Sequence, residues 1–220
     1  MQSVQTRKKY NDDDPLSTNE LSACRSAIGK LNWVATQTRP DLSFDVSELT
    51  SHLKNNRVAS IRMVNKTIKK AKKEKSSLFF PHLGPVDKCN MIVYSDASFA
   101  NHTNTSSQGG YIIFLSSVLG VSIPISWQSR KVKRVVKSTH AAETLALVDA
   151  AEAAVNFQNF MREHLGFCDD SNSLKIHCRT DSNGLYKSVH SNTQILDKRL
   201  RIETAILRQM LEKEEISSIE

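Results

Sequence analysis

Residues 90–96, with the sequence NMIVYSD, constrain the fold of this 220-residue chain more than any other stretch. Side chains alternate between the two faces of a strand. Here both sets are largely apolar, which is typical of a strand in the middle of a sheet. The predicted strand ends in Asp96, where the chain becomes small and polar. An aspartate at this position either accepts hydrogen bonds from turn amides or binds a metal ion, and the residue alone leaves both interpretations open.

The chain after residue 86 predicts a mixed five-stranded sheet with flanking helices. Pro124 indicates a sheet edge or a bulge, because proline has no amide hydrogen to donate to a neighbouring strand. A fourth strand ends at Asp181, and a fifth begins near Ile216. The other predicted elements are strands over 109–117, 121–128 and 174–180, and helices over 138–166, 182–190 and 197–214. We therefore predict an α/β layer fold.

The first 86 residues predict a separate helical segment. Apolar residues recur there at three- and four-residue steps, which predicts helices over 16–38, 41–53 and 58–75. A short strand is expected over 77–81, and Gly84-Pro85 is the predicted turn before the sheet. The predicted organisation is a flexible leader over 1–15, a helical segment over 16–86 and a sheet domain over 87–220 that stops inside its fifth strand.

Basic residues are concentrated on the third predicted helix. The net charge of +7 and the pI of about 9.3 favour a polyanionic partner. The polar side of the helix carries a single acid, Glu74, whereas a merely solvated face mixes both signs. A second basic run precedes Glu143. The candidate nucleic-acid contacts are Arg62, Lys66, Lys69, Lys70 and Lys73 on the helix, and Lys131, Lys133, Arg134 and Lys137 in the run.

Composition argues against several other classes of protein. No apolar run approaches the ~20 residues of a membrane helix, and the N-terminus has no apolar secretory signal. We therefore expect neither a membrane partner nor secretion. The four cysteines are widely spaced, which argues against a zinc site or a disulfide framework and favours a reducing intracellular compartment.

Three carboxylates occupy positions that favour metal binding. Asp96 ends the first strand, Asp181 ends the fourth, and Glu143 lies in the second turn of the long helix. If the two strands are neighbours, Asp96 and Asp181 lie side by side, and a helix that crosses that edge brings Glu143 to them. Converging acids repel one another unless cations neutralise them. The pattern suits phosphoryl transfer by two Mg²⁺ ions about 3.5–4 Å apart.

Each of these residues also has an ordinary structural interpretation. Glu143 could be a solvated helix residue, although the alanines and leucines around it make that part of the helix apolar. Asp181 is well placed to cap the helix that follows it. His140 and His190 are interpreted as surface or capping residues rather than as general bases.

An ordered set of motifs resembles the C-terminal part of the Pol polyprotein of Ty1/copia-type LTR retrotransposons. The residues that carry this resemblance are 28–35 (IGKLNWVA), 38–44 (TRPDLSF), 94–98 (YSDAS), 110–111 (GY), 125–129 (ISWQS), 138–139 (ST) with 142–143 (AE), and 180–182 (TDS). The first two are similar to the segment after the polymerase palm, and the others are similar to the family's ribonuclease H domain. Together they extend from about residue 21 to residue 220.

This resemblance implies an RNase H-like fold in which Asp96, Glu143 and Asp181 hold two Mg²⁺ ions, with Mn²⁺ as a substitute. The ions would activate water to cut the RNA strand of an RNA–DNA hybrid. The helical segment would belong to the reverse transcriptase thumb or connection. The partners would be nucleic acid and the rest of a Pol polyprotein, in a cytoplasmic virus-like particle or in the nucleus. The polymerase aspartates have no counterpart here, so polymerase activity is not expected.

Two departures from the family pattern leave a second function open. The family has a further Glu where this chain has Ala141, and its fourth carboxylate lies beyond the fifth strand. Asp197 and Glu220 are poor substitutes for that carboxylate. A non-catalytic nucleic-acid-binding remnant is therefore the alternative to a nuclease. An integrase or transposase of the DDE type is disfavoured, because its acids run Asp, Asp, Glu rather than Asp, Glu, Asp.

Overall fold

The structure is a computed structural model that describes residues 1–6, 11–74, 76–100, 106–165, 173–191 and 195–220. The chain divides into two units, Met1–Leu78 and Phe79–Glu220. The first unit is helical and the second contains the sheet, and each has its own apolar core. The described residues include no helix that is long and apolar enough to span a membrane.

The helical unit contains α1 (Thr18–Gln37), α2 (Ser43–His52) and α3 (Ala59–Lys73). A capping box starts α1: the Ser17 amide donates to the Glu20 carboxylate at 2.9 Å, and the Ser17 hydroxyl accepts from the Glu20 amide at 3.4 Å. Arg39, which is buried, donates to the Asp41 carboxylate at 2.7 Å and to the Ala71 carbonyl at 3.2 Å. This arginine therefore ties the α1–α2 turn to the end of α3.

The predicted leader and the predicted short strand both lie in this part of the chain. Val4, within the predicted leader, is buried, and its amide and carbonyl hydrogen-bond to the Asn65 side chain at 2.7 and 2.9 Å. The leader is therefore anchored to α3 at this point. The short strand expected over 77–81 is not formed, although all five residues are described. No neighbouring strand pairs with this segment, so its β propensity is not realised.

The second unit is built on one five-stranded sheet with the order β3-β2-β1-β4-β5. The strands are β1 (Asn90–Ser98), β2 (Gln108–Ser116), β3 (Ser122–Lys131), β4 (Ile176–Arg179) and β5 (Ser218–Ile219). β1 to β3 are antiparallel neighbours, β4 runs parallel to β1, and β5 runs parallel to β4. The prediction of a mixed five-stranded sheet, with β1 at its centre and a helical segment before it, is confirmed.

Pro124 lies both at a sheet edge and beside an irregularity in strand pairing, the two positions that the sequence indicates for it. β3 is the edge strand of the sheet, and the register between β2 and β3 shifts between Ile113 and Phe114, beside Pro124. The amide hydrogen that Pro124 lacks therefore costs the interior of the sheet no hydrogen bond.

Three helices complete this unit: α4 (Thr139–Leu165), α5 (Asn183–His190) and α6 (Lys198–Glu212). α4 packs against β1 and β2, and small residues make up much of its buried side. The buried alanines of α4 include Ala142, Ala146, Ala150 and Ala154. Their spacing of four residues keeps them on one face of the helix, and their size lets the helix backbone lie close to the sheet.

Candidate active site

Asp96 and Asp181 line the same cavity, which has a volume of ≈ 580 Å³. β1 and β4 are adjacent and parallel, so residues near their carboxyl ends lie at the same edge of the sheet. Both aspartates are exposed. Among the described residues, neither carboxylate accepts a hydrogen bond or forms an ion pair. The cavity is lined by Tyr94, Ser95, Asp96, Gly110, Tyr111, Ile112, Arg179, Thr180 and Asp181.

Asp96 lies inside β1 rather than at its end. Pairing with β2 continues to Ser98, and Asp96 itself is opposite Gly110. The interpretation of Asp96 as a residue that accepts turn amides is therefore wrong. Gly110 has no side chain that could lie beside the Asp96 carboxylate. A Cβ atom at position 110 would lie 3.2 Å from the Gln128 carbonyl oxygen. Glycine thus keeps the flank of Asp96 open.

Asp181 does not cap the helix that follows it. The N-cap of α5 is Ser182, whose side chain accepts a hydrogen bond from the Leu185 amide at 3.3 Å. The preceding threonine contributes as well, since the Ser182 amide donates to the Thr180 hydroxyl at 3.2 Å. The capping interpretation of Asp181 is therefore wrong, and its carboxylate is available to the cavity.

Glu143 is half-buried on α4, close to the β1 segment that carries Asp96. Its neighbour Ala142 forms a small buried cluster with Ala97 and Ala146. Glu143 is nevertheless not among the residues that line the cavity. The described residues contain no group of three His, Cys, Asp or Glu side chains that could hold one ion. The structure thus brings Asp96 and Asp181 to one cavity and places Glu143 next to β1, without a compact cluster of all three.

Sequence reasoning missed Arg179, which lines the same cavity as the two aspartates. Its guanidinium donates to the Tyr94 hydroxyl at 2.9 Å, lies 5.8 Å from the centre of the Tyr94 ring, and is 3.6 Å from the Glu220 carboxylate. The bond to Tyr94, together with the Glu220 charge, raises the pKa of Arg179 above its ordinary value. Arg179 stands two residues before Asp181, so strand alternation was a signal that could have identified it.

The two acids considered as substitutes for a fourth ligand have other roles. Asp197 is the N-cap of α6, where its carboxylate accepts from the Arg199 and Leu200 amides at 2.8 and 3.3 Å. These bonds lower the pKa of Asp197 below its ordinary value. Glu220 accepts from the Ser218 hydroxyl at 3.0 Å and pairs with Arg179. Neither acid lines the cavity.

The basic residues of α3 divide into paired and open side chains. Arg62 pairs with Asp12 at 2.8 Å, and Lys70 pairs with Asp45 at 2.7 Å. Lys66, Lys69 and Lys73 are exposed, and no described acid forms an ion pair with them. These three lysines therefore remain the stronger candidates for phosphate contacts on this helix.

Arg134, in the second basic run, contacts α6. Its guanidinium forms an ion pair with Glu203, whose side chain is only 8% exposed. Lys133 and Lys137 are exposed and Lys131 is half-buried, and these lysines have no described acid within ion-pair distance. Arg134 thus compensates a buried charge, whereas the neighbouring lysines are available to solvent.

We expect Arg134→Ala to lower the free energy of unfolding by about 1–3 kcal/mol, because it leaves the Glu203 carboxylate buried without its partner. Lys133→Ala, the matched control, should change it by less than about 0.5 kcal/mol. Urea unfolding followed by circular dichroism measures both values. Equal stabilities of the two variants would show that the Arg134–Glu203 pair contributes no more than an ordinary surface contact.

His140 and His190 both contact neighbouring elements. The Nε2 atom of His140 is 3.2 Å from the Ser188 hydroxyl, which joins the start of α4 to α5. The Nε2 atom of His190 is 3.1 Å from the Ile219 carbonyl oxygen in β5. Neither histidine lines the cavity, and their interpretation as residues outside the chemistry is retained.

The mixed five-stranded sheet that the sequence predicts is thus present, and Asp96 of β1 lines one cavity with Asp181, which lies two residues after β4. Three retrotransposon proteins are similar in sequence. The chain is 25% identical over 200 residues to the retrovirus-related Pol polyprotein from transposon TNT 1-94 of Nicotiana tabacum, covering 87% of this chain and 14% of the relative. It is 31% identical over 120 residues to the Pol polyprotein from transposon RE2 of Arabidopsis thaliana, covering 54% and 8%.

The transposon Ty5-1 protein of Saccharomyces cerevisiae is 28% identical over 118 residues, which covers 53% of this chain and 36% of the relative. Two of these relatives are thus retrovirus-related Pol polyproteins and the third is a transposon protein, and the resemblance predicted from the motifs is confirmed. The chain spans between 8% and 36% of the length of these relatives. No protein-family model matches the chain.

Solved structures of ribonucleases H and of a viral protease-reverse transcriptase overlap with this chain in part. RNase H1 from the archaeon Halobacterium salinarum has a TM-score of 0.41 and 21% identity over 59% of this chain and 81% of that chain. LC11-RNase H1, solved in complex with an RNA/DNA hybrid, has a TM-score of 0.42 and 15% identity over 59% and 81%. The foamy viral protease-reverse transcriptase has a TM-score of 0.42 and 14% identity over 79% and 25%.

Proposed function

We propose that residues 87–220 are the RNase H-type domain of a retrotransposon Pol polyprotein and hydrolyse the RNA strand of an RNA–DNA hybrid. The observation that carries this proposal is the pair Asp96 and Asp181, two exposed carboxylates that line one cavity, the first in β1 and the second two residues after its parallel neighbour β4. The homology to Pol polyproteins supports it. Residues 16–86 would be the thumb or connection of the reverse transcriptase, without a polymerase centre of their own.

The two aspartates fit a magnesium site in their chemistry and exposure. Mg²⁺ is usually bound through one or two carboxylates, water and substrate phosphate oxygens. Asp96 and Asp181 would supply the carboxylates, with Mn²⁺ as a substitute metal. Glu143, which is half-buried on α4 next to Ala142, would be the further carboxylate for a second ion. When bound, the divalent metals would polarise the scissile phosphate and lower the pKa of the attacking water.

The chain itself would bind and orient the hybrid. The scissile phosphate would lie at the edge of the sheet that carries Asp96 and Asp181, where Gly110 leaves the flank of Asp96 open. The open lysines of the second basic run, with those of α3, supply charge for backbone phosphates. Such contacts hold the duplex in register without reading its sequence.

A non-catalytic nucleic-acid-binding remnant is the second candidate. It is favoured by the lack, among the described residues, of a compact group of three metal-binding side chains. The engagement of Asp197 as a helix cap and of Glu220 with Arg179 also favours it. In this case the basic residues bind the hybrid and the cavity does not process it. In either case we propose an intracellular protein of a cytoplasmic virus-like particle or the nucleus.

Cleavage of a labelled RNA–DNA hybrid separates the two candidates. The full chain is incubated with the hybrid in Mg²⁺, in Mn²⁺ and in EDTA, and the products are resolved on a sequencing gel. RNA cleavage that depends on the divalent metal is the expected result, with Mn²⁺ at least as effective as Mg²⁺. Salt-sensitive binding of the hybrid without cleavage would identify the remnant. A chain that neither binds nor cuts would contradict both candidates.

A further inference from the structure

Arg179 is the only cationic side chain among the described residues that line the cavity of Asp96 and Asp181. It belongs to β4 and lies opposite Tyr94 of β1 in the parallel register. Because the carboxylates carry like charge, an anionic substrate enters this cavity more readily when cations balance them. Arg179 is a cation that the chain itself contributes at that place.

The guanidinium of Arg179 is held on two sides and open on the others. The Tyr94 hydroxyl accepts one of its hydrogen bonds at 2.9 Å, and the Glu220 carboxylate lies 3.6 Å from its Nε atom. The Tyr94 ring is itself positioned by Phe114, which it meets edge-on at 6.0 Å. Arginine has five N–H donors in a rigid fork, so several remain for a ligand. The side chain is 46% exposed, which leaves it accessible from the cavity.

We propose that Arg179, oriented by Tyr94, binds a phosphate group of the nucleic-acid strand that occupies this cavity. The proposal rests on the function proposed above and names a substrate-binding residue for it. Guanidinium groups match phosphate oxygens through paired, charge-assisted hydrogen bonds. The contact would place the sugar-phosphate backbone next to Asp96 and Asp181. Glu220 would compete with the phosphate for Arg179 and would be displaced on binding.

A purely structural role explains these contacts less well. An exposed ion pair at 3.6 Å contributes little to stability, because water screens it. Arg130 of β3 offers a direct comparison: its side chain is also 46% exposed, and it pairs with Asp149 of α4 at 2.7 Å. Arg130 has a closer acid partner but does not line the cavity. The two arginines therefore differ mainly in their access to the cavity.

Hybrid binding by Arg179→Gln and Arg130→Gln tests the proposal. The probe is a fluorescein-labelled RNA–DNA hybrid in EDTA, and its anisotropy is measured at several salt concentrations. For Arg179→Gln we expect affinity to fall about tenfold and the slope of log K against log salt to decrease by about 1, because one phosphate contact is lost. Arg130→Gln should stay within about twofold of the wild type, with an unchanged slope. Arg179→Lys should recover the slope but only part of the affinity, since lysine lacks the fork.

Three outcomes are distinguishable. If the wild type binds and cuts the hybrid while Arg179→Gln keeps its affinity and slope, the phosphate contact is absent and the proposed nuclease remains. If Arg179→Gln loses affinity with an unchanged slope and a lower melting temperature, Arg179 is structural and the proposal is overturned. If the wild type does not bind the hybrid, the proposed function and this inference both fail.

Discussion

Asp96→Asn is expected to lower the rate of hybrid cleavage by at least about 100-fold, with little effect on folding. Loss of a group that only supports a metal ligand costs about 10–100-fold, so loss of a direct ligand should cost at least as much. The side chain is exposed, and among the described residues it has no hydrogen-bond partner to lose. The substitution removes a negative charge from the cavity, so hybrid affinity in EDTA should be equal to or higher than that of the wild type.

Asp87→Asn is the matched control for this prediction. Asp87→Asn also replaces an aspartate by an asparagine. Asp87 lies just before β1 begins, whereas Asp96 lies near the other end of that strand. Its cleavage rate should lie within about twofold of the wild type. Initial rates of hybrid cleavage in Mg²⁺ and Mn²⁺, together with melting temperatures, measure both variants. Full activity of Asp96→Asn in a chain that cuts would place the active site elsewhere.

Ala146→Leu is expected to reduce stability and cleavage together. The Ala146 Cβ atom would lie 3.5 Å from a Cβ built at Gly109, and Ala146 is buried beside Ala97 of β1. A leucine at this position overpacks the contact, which costs about 1–3 kcal/mol. The helix can relieve the overlap only by moving away from β1. That movement takes Glu143 with it, so we expect cleavage to fall at least about tenfold under conditions where the variant is folded.

Asn156→Leu is the matched control, because it introduces a leucine into the same helix at an exposed position. Asn156 is an exposed residue of the same helix, so a leucine there has no neighbour to overlap. Its free energy of unfolding should stay within about 0.5 kcal/mol of the wild type. Urea unfolding and hybrid cleavage measure both variants. An Ala146→Leu protein with unchanged stability and activity would mean that the α4–β1 contact does not determine the position of Glu143.

Most of the secondary structure was predictable from local pattern. The apolar alternation of β1, the alanine-rich α4 and the proline of β3 each depend on residues close together in the chain. The short strand expected over 77–81 is not formed, because a strand requires a neighbouring strand to pair with, and local sequence does not supply one. The N-cap of α5 was assigned one residue too early, since both Asp181 and Ser182 have suitable side chains.

The partners of the basic residues were not predictable from composition. Arg62, Lys70 and Arg134 have the same local character as the exposed lysines around them, yet each meets an acid that lies far away in the chain. These pairs form only when separate helices or loops pack together. Composition indicates how much positive charge the surface carries, whereas packing decides which side chains remain open to a polyanion.

The sequence by itself determined the order of the elements, the centrality of β1 and the choice of Asp96, Glu143 and Asp181 as candidates, because periodicity and motif spacing are local properties. Only the tertiary structure decided that Asp96 and Asp181 share a cavity with Arg179. It also decided that Glu143, on α4, lies beside β1 but does not line that cavity. Strand pairing and helix docking join residues that are distant in the chain, and the free energy of burying the core selects those contacts.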